Sequence, residues 1–261
     1  MENFTTHCSE ISETSSEILS KIIDEKRKEL EKQKFRTSIS KAIKDASKDR
    51  IPVIAEIKRK SPKFGAIKDV DVIETAKIFQ DYGACALSIL TDKNFEGDLK
   101  NLMRLRDLKF KDNKKDRISI PLLRKDFIID EIQIYESYIY GADAILLIAG
   151  VLKEKTGKFL EIAGKLNLEC IVEVHDENDL KFIGDANIIG INTRNLENFA
   201  IDTNKLKLSE KIKNRENKII VAESGIENKN DVNFALKYAD ALLIGTSITK
   251  NFELLKEFVK K

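Results

Sequence analysis

The 261-residue chain contains only two histidines, His7 and His175, and three cysteines, Cys8, Cys85 and Cys170. So few histidines fit neither a His-rich metal centre nor a Ser-His-Asp triad, and the cysteine spacing suits neither a zinc site nor a CxxC redox pair. Cys85 and Cys170 lie in apolar runs and read as small core residues. No apolar run approaches the ~20 residues that a membrane span needs. A surplus of one charge is missing too. The 46 Lys and Arg against 44 Asp and Glu leave a formal net charge of +2, which by itself implies no nucleic-acid or membrane partner. The densest basic stretch, 109–117, is interrupted by Asp112 and Asp116 and reads as a solvated loop. The opening residues are polar and acidic, unlike a signal or transit peptide, so the expectation is a cytoplasmic protein.

What the chain does contain is a regular alternation. Hydrophobic residues make up 42% and charged residues 34%, enough to bury the core of one barrel-sized domain or two small ones. Eight short apolar runs recur at 51–57, 85–90, 118–123, 144–148, 170–174, 188–191, 219–221 and 241–244. They are near-continuous rather than alternating, as strands buried on both faces are. Helical spacing fills the gaps, in Val72, Ala76 and Phe79, in Ile132, Tyr135 and Ile139, in Phe159, Ala163 and Leu166, in Val232, Ala235 and Tyr238, and in Phe252, Leu255 and Val259. Strand alternating with helix implies a parallel α/β sheet, and eight strands in this length predict a closed (β/α)8 barrel, a TIM barrel, over residues 51–261. A weak repeat, Tyr82-Gly83-Ala84, Tyr140-Gly141-Ala142 and Tyr238-Ala239, joins helix to strand. Upstream, Ile18, Ile22 and Ile23, with Ser15 or Ser16 as cap, predict an extra N-terminal helical segment over 14–50, packed on the barrel and preceded by a mobile polar tail over 1–13.

In such barrels chemistry sits at the C-terminal ends of the strands. There the chain places Glu56 and Lys58, two apart and so on one face; Arg124, Lys125 and Asp126; Glu173 between two valines; Asn192, Thr193 and Arg194; Glu223 and Ser224; and Gly245 and Thr246. Any one of these could simply pair or face solvent. Convergence of Glu56, Lys58, Lys125, Glu173 and Glu223 on one opening is costly unless they pair or do work. Gly225 and Gly245 put glycines where backbone N–H groups can approach an anion, in the loops that commonly hold phosphate. Cys170 reads as core rather than nucleophile, His175 as a weaker candidate for touching substrate, and Asp92 and Asp98 as caps rather than metal ligands.

At these residues the sequence resembles the indole-3-glycerol-phosphate synthase family. The matching stretches are IAEIKRKSPKFG (54–65), LSILTD (87–92), PLLRKDFIIDEIQIYES (121–137), GADAILLIA (141–149), IVEVHDENDL (171–180), IIGINTRNL (188–196), VAESGI (221–226) and LLIGTSI (242–248), in order across the chain. Departures lie in loops: Thr193 replaces the usual second Asn, Lys63-Phe64 replaces the commoner Ser-Lys, and the loop after the second strand reads Asn94-Phe95-Glu96-Gly97-Asp98. The resemblance implies closure of 1-(2-carboxyphenylamino)-1-deoxyribulose 5-phosphate to indole-3-glycerol phosphate, with loss of CO2 and water, in tryptophan biosynthesis. It implies Lys125, Glu173, Lys58, Glu56 and Asn192 as catalytic, and Arg194, Glu223, Ser224 and Phe127 as substrate-binding. Ser61, Gly225, Gly245 and Thr246 would form the phosphate grip. No cofactor and no metal are implied, and the partner is a small phosphorylated substrate, the enzyme being a monomer or else a homodimer. Rival readings are a phosphosugar aldolase with a Schiff-base lysine, phosphoribosylanthranilate isomerase, and a non-catalytic ligand-binding barrel.

Overall fold

A computed structural model describes residues 5–58, 60, 61, 65, 66, 70–195 and 198–261, with backbone alone for 5–18, 60, 61, 65 and 66. Lys63 and Phe64 fall outside the described residues. The chain divides into two compact units, Met1–Phe35 and Arg36–Lys261. The first is a single helix, Thr5–Lys34. It begins inside the segment read as a polar tail and passes straight through the expected caps at Ser15 and Ser16. The physical reason is that Ile11, Ile18 and Ile22 continue one apolar face upstream of those serines.

The second unit is a closed barrel of eight parallel strands. They are β1 (Val53–Ile57), β2 (Ala86–Leu90), β3 (Leu122–Lys125), β4 (Ala144–Ile148), β5 (Glu169–Val174), β6 (Ile188–Asn192), β7 (Ile219–Glu223) and β8 (Ala241–Ile244). Each pairs in parallel with its neighbour in sequence, and Val53 opposite Leu242 closes the ring of β1 on β8. A short antiparallel ladder, Lys60–Ser61 with Gly65–Ala66, follows β1. Among the described residues no helix is long and apolar enough to cross a membrane.

Two elements depart from the expectation, each for a polar reason. β3 starts at Leu122, four residues later than the apolar run. Pro121 has no N–H to give a ladder, and Ser119 N–H is already taken by Gln80 Oε1 at 2.7 Å. The shift brings Arg124 and Lys125 inside the strand rather than beyond it. The helix Ile132–Tyr140 is turned the other way round from its apolar spacing. Ile132, Tyr135 and Ile139 are 62%, 46% and 52% exposed, while Ile134 and Ser137 face the core. Arg124 explains this. It is buried on the outer face of β3, and its guanidinium donates to Ser137 Oγ at 3.0 Å, Gln133 O at 2.8 Å and Asp126 Oδ2 at 2.8 Å. A buried guanidinium without partners costs more than exposing an apolar stripe, so the polar side of the helix faces in.

The repeat also has a purpose that the sequence reading leaves out. Gly83 and Gly141 do take positive φ (97° and 85°). Asp143, two residues past Gly141, is the anchor. Its carboxylate accepts Leu122 N–H at 2.7 Å and Thr37 N–H at 2.8 Å and pairs with the buried Lys109 ammonium, which also reaches Thr37 Oγ1 at 2.6 Å. Asp240, in the third copy of the repeat, likewise accepts Ile220 N–H at 2.8 Å. Asp143→Ala should therefore lower stability by about 3–5 kcal/mol, because Lys109 is left buried without its counter-charge. The Asp143→Ala/Lys109→Met double variant should recover part of that loss in urea unfolding, and equal loss in both would contradict the pairing.

Candidate active site

Every residue that the resemblance assigns to catalysis, substrate or phosphate, except Ser61, lines one cavity of about 310 Å³ at the C-terminal strand ends. The charged and amide groups among them are Lys125, Glu173, Lys58, Glu56, Asn192, Arg194 and Glu223, with Phe127, Ser224, Gly225, Gly245 and Thr246 beside them; Asp92, Asp126 and Glu227 line the cavity too. Ser61 sits in the short ladder after β1, and its side chain lies outside the described residues.

The period of two on a strand explains the convergence. Glu56, Glu173, Asn192 and Glu223 each sit on the inward side at or near the last residue of a strand, and each is at most 8% exposed. Lys125 ends β3 and places its ammonium 2.9 Å from Glu173 Oε2 and 3.3 Å from Glu223 Oε2. Lys58 donates to Glu56 Oε1 at 3.1 Å. Asn192 Oδ1 accepts the Arg194 N–H at 3.0 Å, which shapes the chain as it leaves β6. The Arg194 guanidinium reaches Phe199 O at 3.3 Å. Thr193, the departure from the family pattern, is fully buried, does not line the cavity, and donates its hydroxyl to Glu223 O at 3.2 Å.

The two carboxylates beside Lys125 are driven apart in acidity. Burial works against the Lys125 ammonium, but Glu173, Glu223 and Glu56 together outweigh it and hold the lysine charged well above the ordinary range. Burial would likewise raise Glu173, yet Lys125 and His175 reverse the sign and keep it a carboxylate. Glu223 shows the opposite outcome. Burial and the neighbouring Glu173 charge outweigh Lys125 and raise it well above the usual carboxyl range. One acid and one base therefore face the same cavity, a division typical of proton-transfer sites. Cys85 and Cys170 are buried thiols pushed up to about 12 by loss of solvent, which leaves them inert.

Glycines make room for two of the carboxylates. A Cβ at Gly190 would lie 2.1 Å from Glu223 Oε1, and one at Gly245 would lie 2.5 Å from Glu56 Oε1. The sequence reading connects Gly245 only with an anion; in the structure the space beside its Cα is filled by Glu56. Ser224 and Gly225 both take positive φ (68° and 74°), so the chain turns sharply after β7. Gly225 is further constrained, since a Cβ there would meet Ile201 Cγ2 at 2.8 Å.

Several lining residues escape the strand-end rule. Phe95, in the loop after β2, lies with Phe127 as a near-parallel pair, centroids 6.3 Å apart at 23°. Leu146, Ile148, Leu243, Phe199 and Ile201 supply the apolar wall. The two phenylalanines meet across two loops, which no local pattern foretells. Asp92 and Asp98 cap local turns, accepting the N–H of Asn94 at 2.7 Å and of Lys100 at 2.9 Å. Among the described residues no group of three or more His, Cys, Asp and Glu is arranged to hold a metal ion.

The sequence profile described as "Indole-3-glycerol phosphate synthase" matches residues 5–261. A protein of that name from Methanocaldococcus jannaschii is 42% identical over 254 residues, covering 93% of this chain and 90% of the relative. One from Campylobacter jejuni subsp. doylei is 44% identical over 219 residues, covering 81% and 80%. Among solved structures, a tryptophan synthase alpha chain from Legionella pneumophila subsp. pneumophila superposes with a TM-score of 0.54 at 12% identity, over 84% of this chain and 88% of that one, a likeness of fold alone.

The glycine seats can be tested without any substrate. Gly190→Ala should destabilise the barrel by about 1–3 kcal/mol through overpacking against Glu223. Combining it with Glu223→Ala should relieve the clash, so the double variant should unfold later than the sum of the single losses predicts. Strict additivity in thermal or urea unfolding would mean that Glu223 does not occupy the space.

Proposed function

The chain belongs to the indole-3-glycerol phosphate synthase family, and from that premise we propose how its cavity performs the family's reaction. The protein is a carboxy-lyase of tryptophan biosynthesis acting on a small phosphorylated substrate. In that reaction the ring carbon bearing the carboxylate of 1-(2-carboxyphenylamino)-1-deoxyribulose 5-phosphate attacks the ketone. The new C–C bond forms as the ketone oxygen takes a proton; CO2 then leaves, its electron pair restoring the aromatic ring. The new hydroxyl departs as water, pushed by the aniline nitrogen, and loss of a carbon-bound proton completes the indole.

The observation that carries the residue assignment is Lys125, an ammonium held 2.9 Å from Glu173 and 3.3 Å from Glu223 in the cavity floor. Its raised pKa suits a donor that must stay charged until the ketone oxygen becomes basic. The same feature argues against a Schiff-base nucleophile, which needs a free amine near neutral pH. Lys58, paired with Glu56, would hold the substrate carboxylate and supply the acid for dehydration. Glu173, kept a carboxylate by Lys125 and His175, and Glu56 would exchange protons in that step. Glu223, raised by burial and by the neighbouring Glu173, would hydrogen-bond the substrate, with Asn192 and Arg194 orienting it. The Phe95–Phe127 pair would take the aromatic ring. The turns at Ser224 and Gly225 and at Gly245 and Thr246, with Ser61, would take the phosphate through backbone N–H and hydroxyl groups. We read the working unit as a cytoplasmic monomer; sedimentation velocity would reveal a homodimer.

The direct test is an assay with the carboxyphenylamino-deoxyribulose phosphate, followed by indole fluorescence. Lys125→Met should nearly abolish kcat while substrate still binds. Lys125→Arg should be severely impaired too, because a guanidinium is a far weaker acid. Glu173→Gln should lower kcat by about 10²–10⁴-fold, the span of positioned acid–base groups. Borohydride with substrate should leave Lys125 unmodified in a mass spectrum. An adduct there, or brisk turnover by Lys125→Met, would replace this reading with the aldolase-like one.

A further inference from the structure

His175 follows Glu173 by two residues, is 9% exposed, and does not line the cavity. Its two ring nitrogens have unlike partners. Nδ1 is 3.0 Å from the Arg194 carbonyl oxygen, and Nε2 is 2.7 Å from Glu173 Oε1. A carbonyl can only accept, so Nδ1 carries a hydrogen. With that hydrogen committed, a neutral ring would aim the Nε2 lone pair at a carboxylate oxygen, and the contact would be repulsive. It holds only if a second proton lies between them. Lys125, on the other carboxylate oxygen, favours the ionised form of Glu173, so the proton belongs to the ring.

We infer that His175 is a positioning residue for Glu173: its doubly protonated ring ties Oε1 to the wall formed by the Arg194 carbonyl and leaves Oε2 to work beside Lys125. The inference rests on the proton-transfer reading of Glu173. It also links β5 to the loop after β6, because one ring fixes a carboxylate on the strand and a backbone carbonyl on the loop. Losing the ring charge turns the Nε2 contact against Glu173, which then swings away or takes up a proton.

The groups around the ring define how it titrates. Glu173 faces it from β5. Asp179, in the 3-10 turn that follows, accepts the His175 backbone N–H at 2.8 Å. Arg194 presents its carbonyl from the end of β6. Lys125 and Glu223 act through Glu173. Burial alone would lower His175, but the hydrogen bond and charge of Glu173 outweigh it and raise the ring above its ordinary value. The charge is therefore complete below the ordinary histidine pKa of about 6.5 and is lost only as pH rises through the raised value. Turnover should fall on that alkaline side. Lys125 is held charged far above it and cannot produce this limb.

The chain has only two histidines, so ring titration by NMR of the 15N-labelled protein involves two signals, and a His7→Gln variant assigns them. His175 should titrate above the ordinary histidine value, and Glu173→Gln should move it down towards that value. His175→Phe, which keeps an aromatic ring but no hydrogen bond, should lower kcat by about tenfold or more, as expected for loss of a charge-assisted hydrogen bond. His175→Gln keeps a neutral donor and should recover part of kcat with the alkaline limb gone. A His175 titration indifferent to Glu173→Gln would overturn the pairing. Wild-type kcat and pH profile in His175→Gln, with or without a lower melting temperature, would overturn the positioning role. Failure of the underlying reading has its own signature: Glu173→Gln itself would turn over normally while the NMR shift still appeared.

Discussion

A lysine ammonium held among carboxylates in the mouth of the barrel is the constraint on which the rest depends. Taking Lys125 out of water is unfavourable, and only the carboxyl groups packed around it, Glu173 nearest, make it tolerable. Those carboxylates are themselves nearly inaccessible, so each needs a reason to be where it is. Glu173 is braced from two sides, by Lys125 and by His175. Glu223 meets the same lysine less closely, and burial beside Glu173 raises it, so it gives up its proton less readily than Glu173. One cation thus separates two chemically identical side chains into a base and an acid.

The scaffold gives up side chains to accommodate this cluster. Gly190 lies within β6 and Gly245 directly follows β8, and the space beside each Cα is filled by Glu223 and Glu56. At the opposite ends of the strands the charges serve anchorage instead. Asp143 gathers two backbone N–H groups and a buried lysine, and pins residue 37 to the start of β3. Arg124 does the same on the outer face, next in sequence to the lysine that faces inward. Adjacent residues on one strand therefore serve opposite purposes because the pleat sends them to opposite sides of the sheet.

Much of the site was readable because a parallel barrel converts strand ends into one surface. Glu56, Lys58, Lys125, Glu173, Asn192 and Glu223 each follow or close an apolar run, and the fold alone brings them together. The reading fell short where a partner is remote in sequence. The helix Ile132–Tyr140 carries an apolar stripe that periodicity assigns to the core, and the Arg124 guanidinium turns it outward. Phe95 and Phe127 meet across two loops. His175 reads in sequence as a weak candidate for touching substrate, whereas the structure sets it between Glu173 and the Arg194 carbonyl, outside the cavity lining.

By itself the sequence determined the strand count, the parallel sense, the closed barrel, the family motifs and the side chains available at the mouth. These follow from local patterns, since burial on both faces, strand length and the period of two are all written in contiguous residues. Only the tertiary structure decided which carboxylate is charged, which glycine makes room for which acid, which way the helix over 132–140 turns, and what His175 holds. Those are properties of distance between strands, and the electrostatic terms that set them fall off with a separation that sequence does not contain.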